Sequence, residues 1–116
     1  VSIDAFFHRR YNRETYNCAH FVSDVWQSLT GEAIAHKLGP LLLPPKERHV
    51  APELRRLFQR LAKPESPCIV LMHRHGSPPH VGIFVRGRVL HIHERGVEFQ
   101  PTDVASRGFD YVRFYK

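Results

Sequence analysis

Residues 80–93 read His-Val-Gly-Ile-Phe-Val-Arg-Gly-Arg-Val-Leu-His-Ile-His. Two runs rich in β-branched and aliphatic residues flank Arg86-Gly87, a pair suited to a tight turn. The stretch predicts a β-hairpin with strands over 80–85 and 88–93. With Arg86 and Gly87 as the turn, Val85 faces Arg88, Gly82 faces His91 and His80 faces His93. Alternation then puts His80, His91 and His93 on one face. A catalytic imidazole needs a second polar group to fix its tautomer and orientation, and either histidine of the second strand can serve. Gly82 beside them leaves room for a substrate or for a packed helix.

Downstream, Val97–Gln100 and the alternating Tyr111–Tyr115 read as further strands. Upstream, Cys68–Met72 is a short apolar strand, preceded by a linker over Lys63–Pro67. Pro52 opens a helix that places Leu54, Leu57, Phe58 and Leu61 on one face. Gly39–Pro45, rich in Leu and Pro, is an extended connection. Asp4–Arg13 mixes aromatic and basic residues in a short helix or turn. Phe21, Val22, Val25, Trp26 and Leu29 recur at helical spacing. Asn17 or Thr15 can cap the start of this helix, Gly31 ends it, and Glu32–Leu38 can add another turn. Helices first and antiparallel strands after make one α+β domain, with N-terminal helices packed on a sheet of about five strands.

Cys18 falls at the first turn of the Phe21–Leu29 helix. Unpaired backbone N–H groups and the helix dipole favour an anion there, so the thiol pKa is expected to be lowered. The same N–H groups can hold the oxyanion of an acyl-transfer intermediate. A lone cysteine facing the protein body is also compatible with plain packing. Cys68, between Pro67 and Ile69, reads as core. Two cysteines in 116 residues make no disulfide framework, and no C-x-x-C pair offers a zinc site.

The formal net charge is +6, with 17 Lys and Arg against 11 Asp and Glu. This favours anionic surroundings such as nucleic acid, lipid head groups or peptidoglycan carboxylates. No run of five basic residues and no aromatic-interleaved basic stripe occurs, which disfavours nucleic acid. No apolar run approaches the length of a membrane span. The opening Val-Ser-Ile-Asp shows no export signal. Nine histidines raise a metal reading, in which His73, His75, His80, His91 and His93 crowd one end of the sheet. No H-E-x-x-H motif and no carboxylate at ligand spacing support it, so no metal or other cofactor is expected.

The segments YNCAHFVSDVW (residues 16–26) and HVGIFVRGRVLHIH (80–93) together resemble the two signatures of the NlpC-type cell-wall cysteine peptidases, a papain-like family. The resemblance runs from Tyr11 to Tyr115 and is strongest to the small versions found in phage tail-assembly regions. It implies a papain-like fold, with Cys18 as nucleophile, His80 as general base and His91 as the third polar residue. It also makes Tyr11, and less well Tyr16, the tyrosine that supports the oxyanion. Asn17, where Asp is usual, His20, where a small residue is usual, and His93 border the same cleft. Pro67-Cys68 replaces a common Gly-Asp. The implied activity is hydrolysis of stem-peptide amide bonds in bacterial peptidoglycan. The implied setting is a phage tail tip, with other tail-tip proteins as partners, or export without a signal peptide. A mainly structural tail-tip component with an idle site, and a secreted antibacterial amidase, are the two alternatives.

Overall fold

The computed structural model describes residues 2–52 and 54–116, with the side chains of Leu54 and Arg55 excepted. After a 3-10 turn over Asp4–Phe6, helix α1 spans Cys18–Thr30. A short α2 (Ala35–Leu38) and a 3-10 turn (Gly39–Leu42) lead to α3 (Leu54–Leu57). The strands follow: β1 (Arg60–Leu61), β2 (Cys68–His73), β3 (His80–Val85), β4 (Arg88–His93), β5 (Gly96–Gln100) and, after α4 (Thr102–Ala105), β6 (Tyr111–Tyr115). The described strands form one sheet in the order β1-β6-β2-β3-β4-β5. Every paired neighbour is antiparallel. The architecture is α+β, with six strands where about five were expected.

Helix α1 forms because its apolar residues share one face and its ends are closed. Asn17 Oδ1 accepts from Ala19 N, while His20 Nδ1 accepts from the Asn17 N–H, a reciprocal cap. Such a cap contributes about 1 kcal/mol. Phe21, Val22, Val25 and Trp26 are buried. They pack with Val81, Ile83, Val85, Leu90 and Ile92 of β3 and β4, and with Ile69 and Leu71 of β2. Each large side chain so buried contributes roughly 1.5–3 kcal/mol. The other face of the sheet carries Val70, Met72 and Val89, covered by Ala105 of α4 with Phe84, Phe109, Val112 and Phe114.

The hairpin turn is as expected. Arg86 (φ 54°) and Gly87 (φ 80°) both adopt positive φ, the pairing that matches strand twist. The β3–β4 ladder runs from Val85–Arg88 to Ile83–Leu90. It does not continue to the expected His80–His93 pair; His80 is paired instead with Met72 of β2. Gly82 also has a different reason from the one anticipated. A Cβ there would lie 3.0 Å from the His91 Cβ, the Leu90 carbonyl oxygen and Val89 Cγ1. The space is taken by β4, not by a helix or a substrate. We predict that Gly82→Ala destabilises the fold by about 1–3 kcal/mol, because a backbone carbonyl cannot yield to the methyl. A urea-midpoint comparison with wild type checks this.

Two segments depart from the sequence reading. The helix expected from Pro52 to Leu61 is confined to Leu54–Leu57, and Glu53 and the Leu54 side chain lie outside the described residues. Phe58 is buried, Leu57 is 44% exposed, and Arg60–Leu61 pairs with β6. The edge of β6 supplies unpaired backbone groups, and Gln59 and Lys116 exchange both N–H···O bonds there. Pairing that edge outweighs the helical pattern. Gly39–Leu42 is a 3-10 turn rather than an extended connection, and it buries Leu41. Pro40 fits its first turn, where no N–H partner is needed.

Candidate active site

His80 opens β3, and His91 and His93 stand on β4 on the face away from α1, as alternation requires. His80 Nε2 and His91 Nδ1 are 2.8 Å apart, which makes His91 rather than His93 the partner of His80. His91 Nε2 lies 2.8 Å from Gln100 Oε1. Gln100 Nε2 donates in turn to Glu98, whose other carboxylate oxygen meets His93 Nε2.

This chain fixes the tautomers. The Glu98 carboxylate only accepts, so Gln100 presents Nε2 to it and Oε1 to His91. His91 must then carry its proton on Nε2 and accept at Nδ1. His80 must therefore donate from Nε2, which leaves its Nδ1 with a free lone pair. The outcome is a neutral imidazole held as a base by its neighbours. His93 accepts the Arg95 N–H at Nδ1, so it too carries its proton on Nε2. The His80 ring also stacks on Phe109, 6.1 Å between centroids at 7°.

Burial, followed by the charges of His91, Arg48 and His93, pushes the His80 pKa down to about 3. His91 is lowered as well, mainly by burial. The unfolded chain takes up these protons near pH 6.5, whereas folded His80 refuses its own until about pH 3. Stability from this source is thus complete above pH 6.5 and drains away as pH falls toward 3. We predict a loss of about 1.4 kcal/mol per pH unit from His80 across that window, with His91 adding to it in the same direction. Denaturant titrations at stepped pH measure it, with His80→Gln showing a shallower fall.

Cys18 sits at the first position of α1 and is 1% exposed. The backbone N–H groups of Val81, Ala19 and Cys18 itself act on the thiol as donors, and Arg48 acts on it as a charge. Desolvation outweighs all of them, so the pKa is raised rather than lowered as the helix position led one to expect. The contact with Val81 N–H places the sulfur at the start of β3, one residue along the chain from His80. Val81 faces α1 and His80 the opposite side, so thiol and imidazole approach this strand end from its two faces.

A cleft of about 390 Å³ opens here, lined by Tyr11, Pro45, Arg48, Pro78, His80, His91, His93, Glu94 and Phe109. Tyr11, His80, His91 and His93 are thereby brought together. Tyr16, Asn17 and His20 are not among its lining. The Tyr16 hydroxyl donates to Asp24 at 2.6 Å, and burial followed by that bond raises its pKa. A proton so committed does not serve an oxyanion. Asn17 is fully buried, and its amide nitrogen donates to the carbonyls of Leu42 (2.9 Å) and Leu43 (3.2 Å). An aspartate could not make those bonds. His20 completes the helix cap and stacks on Tyr16.

No family model, curated protein or solved structure matches the chain.

Three site residues escaped the sequence reading. Glu98 and Gln100 share a strand face, and a two-residue turn at Glu94-Arg95 would have set Glu98 opposite His91, as observed. Arg48 lies in an irregular segment with no periodicity to mark it. Among the described residues no three His, Cys, Asp or Glu side chains are placed to hold a metal ion. Among the same residues, no helix is long and apolar enough to cross a membrane.

Proposed function

We propose that this chain is a cysteine amidase that cuts peptide amide bonds of bacterial peptidoglycan, working at a phage tail tip. The observation that carries the chemistry is the chain His80–His91–Gln100–Glu98, which leaves the Nδ1 lone pair of His80 free, with Cys18 on the opposite face of β3 beside the next residue, Val81. The resemblance of residues 16–26 and 80–93 to NlpC-type peptidases supports the substrate class and the setting.

In this reading Cys18 Sγ attacks the carbonyl carbon and its proton passes to His80 Nδ1, a step that requires the two side chains, on opposite faces of β3 here, to come within hydrogen-bond reach around the strand end when substrate enters. Because the thiol resists ionisation and His80 holds protons weakly, attack and proton transfer run together. Negative charge gathers on the carbonyl oxygen, where the Cys18 N–H at the start of α1 can receive it, the Ala19 N–H being held by Asn17. His80 gives the proton to the leaving amine. It then takes one from water as the thioester is hydrolysed, which restores thiol and imidazole.

A specific observation favours a second reading, a tail-tip component whose site stays closed: Cys18 is 1% exposed and is not among the residues lining the cleft. Purified peptidoglycan separates the two. The enzyme releases new amino groups without new reducing sugar ends; a structural component releases neither.

A further inference from the structure

Arg48 carries a charge that the fold leaves unanswered. The residue is 8% exposed. Its Nη1 donates to the Pro79 carbonyl at 3.1 Å, just before His80, and its Nε makes a long contact of 3.4 Å to the Leu43 carbonyl. Its Nη2 is buried with no hydrogen-bond partner. None of the ion pairs among the described residues includes it. Glu94 borders the same cleft, yet no ion pair joins the two.

A buried cation without an anion is costly, and the cost falls when an anion binds. We propose that Arg48 is the anion anchor of the cleft, and that its guanidinium, unpaired with any acid among the described residues, receives a carboxylate carried by the peptide beside the amide bond to be cut. The identity of the peptide rests on the amidase reading; the capture of a carboxylate does not. Arg48 lines the cleft alongside His80 and Tyr11, so a carboxylate held there lies next to the His80 imidazole. The guanidinium acts electrostatically on Cys18, His20 and His80 alike, in keeping with a central position.

The test is an amide NMR titration of the full chain with the α-amide of N-acetylglutamate and the α-amide of N-acetylglutamine, which differ only in the side-chain carboxylate. The expected result is saturable shifts at His80 and Val81 with the acid, and binding at least about tenfold weaker with the amide. Arg48→Gln removes the difference and Arg48→Lys keeps part of it. Equal affinity for the two compounds, no saturable shift with either, or an unaltered difference in Arg48→Gln overturns the proposal. If Arg48→Gln does not fold, the acid–amide comparison on wild type decides alone. Repeating the titration on Cys18→Ala keeps this result apart from the amidase reading, since that variant retains the anchor and lacks the nucleophile.

Discussion

On the proposed mechanism, Cys18→Ala is expected to lose amide hydrolysis by about 10⁴-fold or more while keeping the fold, as judged by amide spectra and a cooperative unfolding transition. The loss follows from the mechanism, because His80 acting on water alone has no thioester to form. The structural cost is small, since the sulfur is a modest volume in a wall built mainly by Phe21, Val22, Val25 and Trp26. Cys18→Ser is expected to fail nearly as badly. A hydroxyl is a far weaker acid than a thiol, and a base with its pKa near 3 cannot activate it. A serine variant with appreciable activity would remove sulfur from the centre of the mechanism.

The second large effect is at His80. Glutamine there can still donate from Nε2 to His91 Nδ1, so the chain to Glu98 persists while the base is gone. We predict that kcat/KM falls by about 10²–10⁴-fold with KM little changed. The pH profile gives a second readout. With the His80 pKa near 3, the base stays unprotonated well below pH 6.5, so the acid limb of wild-type kcat/KM lies near pH 3. The fold weakens over the same range, so the profile is measured in short assays that precede unfolding. An acid limb near 6.5 would mean that the imidazole is solvated in the working state.

The elements that read cleanly from the chain are those whose own periodicity decides them. Helix α1 and its Asn17 cap, the strands His80–Val85 and Arg88–His93, and Tyr111–Tyr115 appear where expected. The elements that did not read are decided by partners distant in sequence. Arg60–Leu61 is a strand because β6 needs an edge partner, and nothing within residues 52–61 announces that. In the site, the shared face of His80 and His91 was legible from alternation. Their link onward to Gln100 and Glu98 required the β4–β5 register, which the five-residue β5 alone does not declare. The raised pKa of Cys18 was hidden for a related reason. A helix N-terminus can be seen in sequence, but the burial that overrides it comes from the packing of α1 on β3. Arg48 is the extreme case, an irregular-segment residue tied to Pro79 across 31 positions of chain.

The most direct measurement is the mass of the protein itself during turnover. Wild type is mixed with soluble peptidoglycan fragments, quenched in acid within the steady state, digested and mapped. The account predicts an acyl adduct on the Cys18 peptide, linked as a thioester that hydroxylamine removes, with the Cys68 peptide unmodified. Turnover without any adduct at Cys18, or an adduct that survives hydroxylamine, would contradict it.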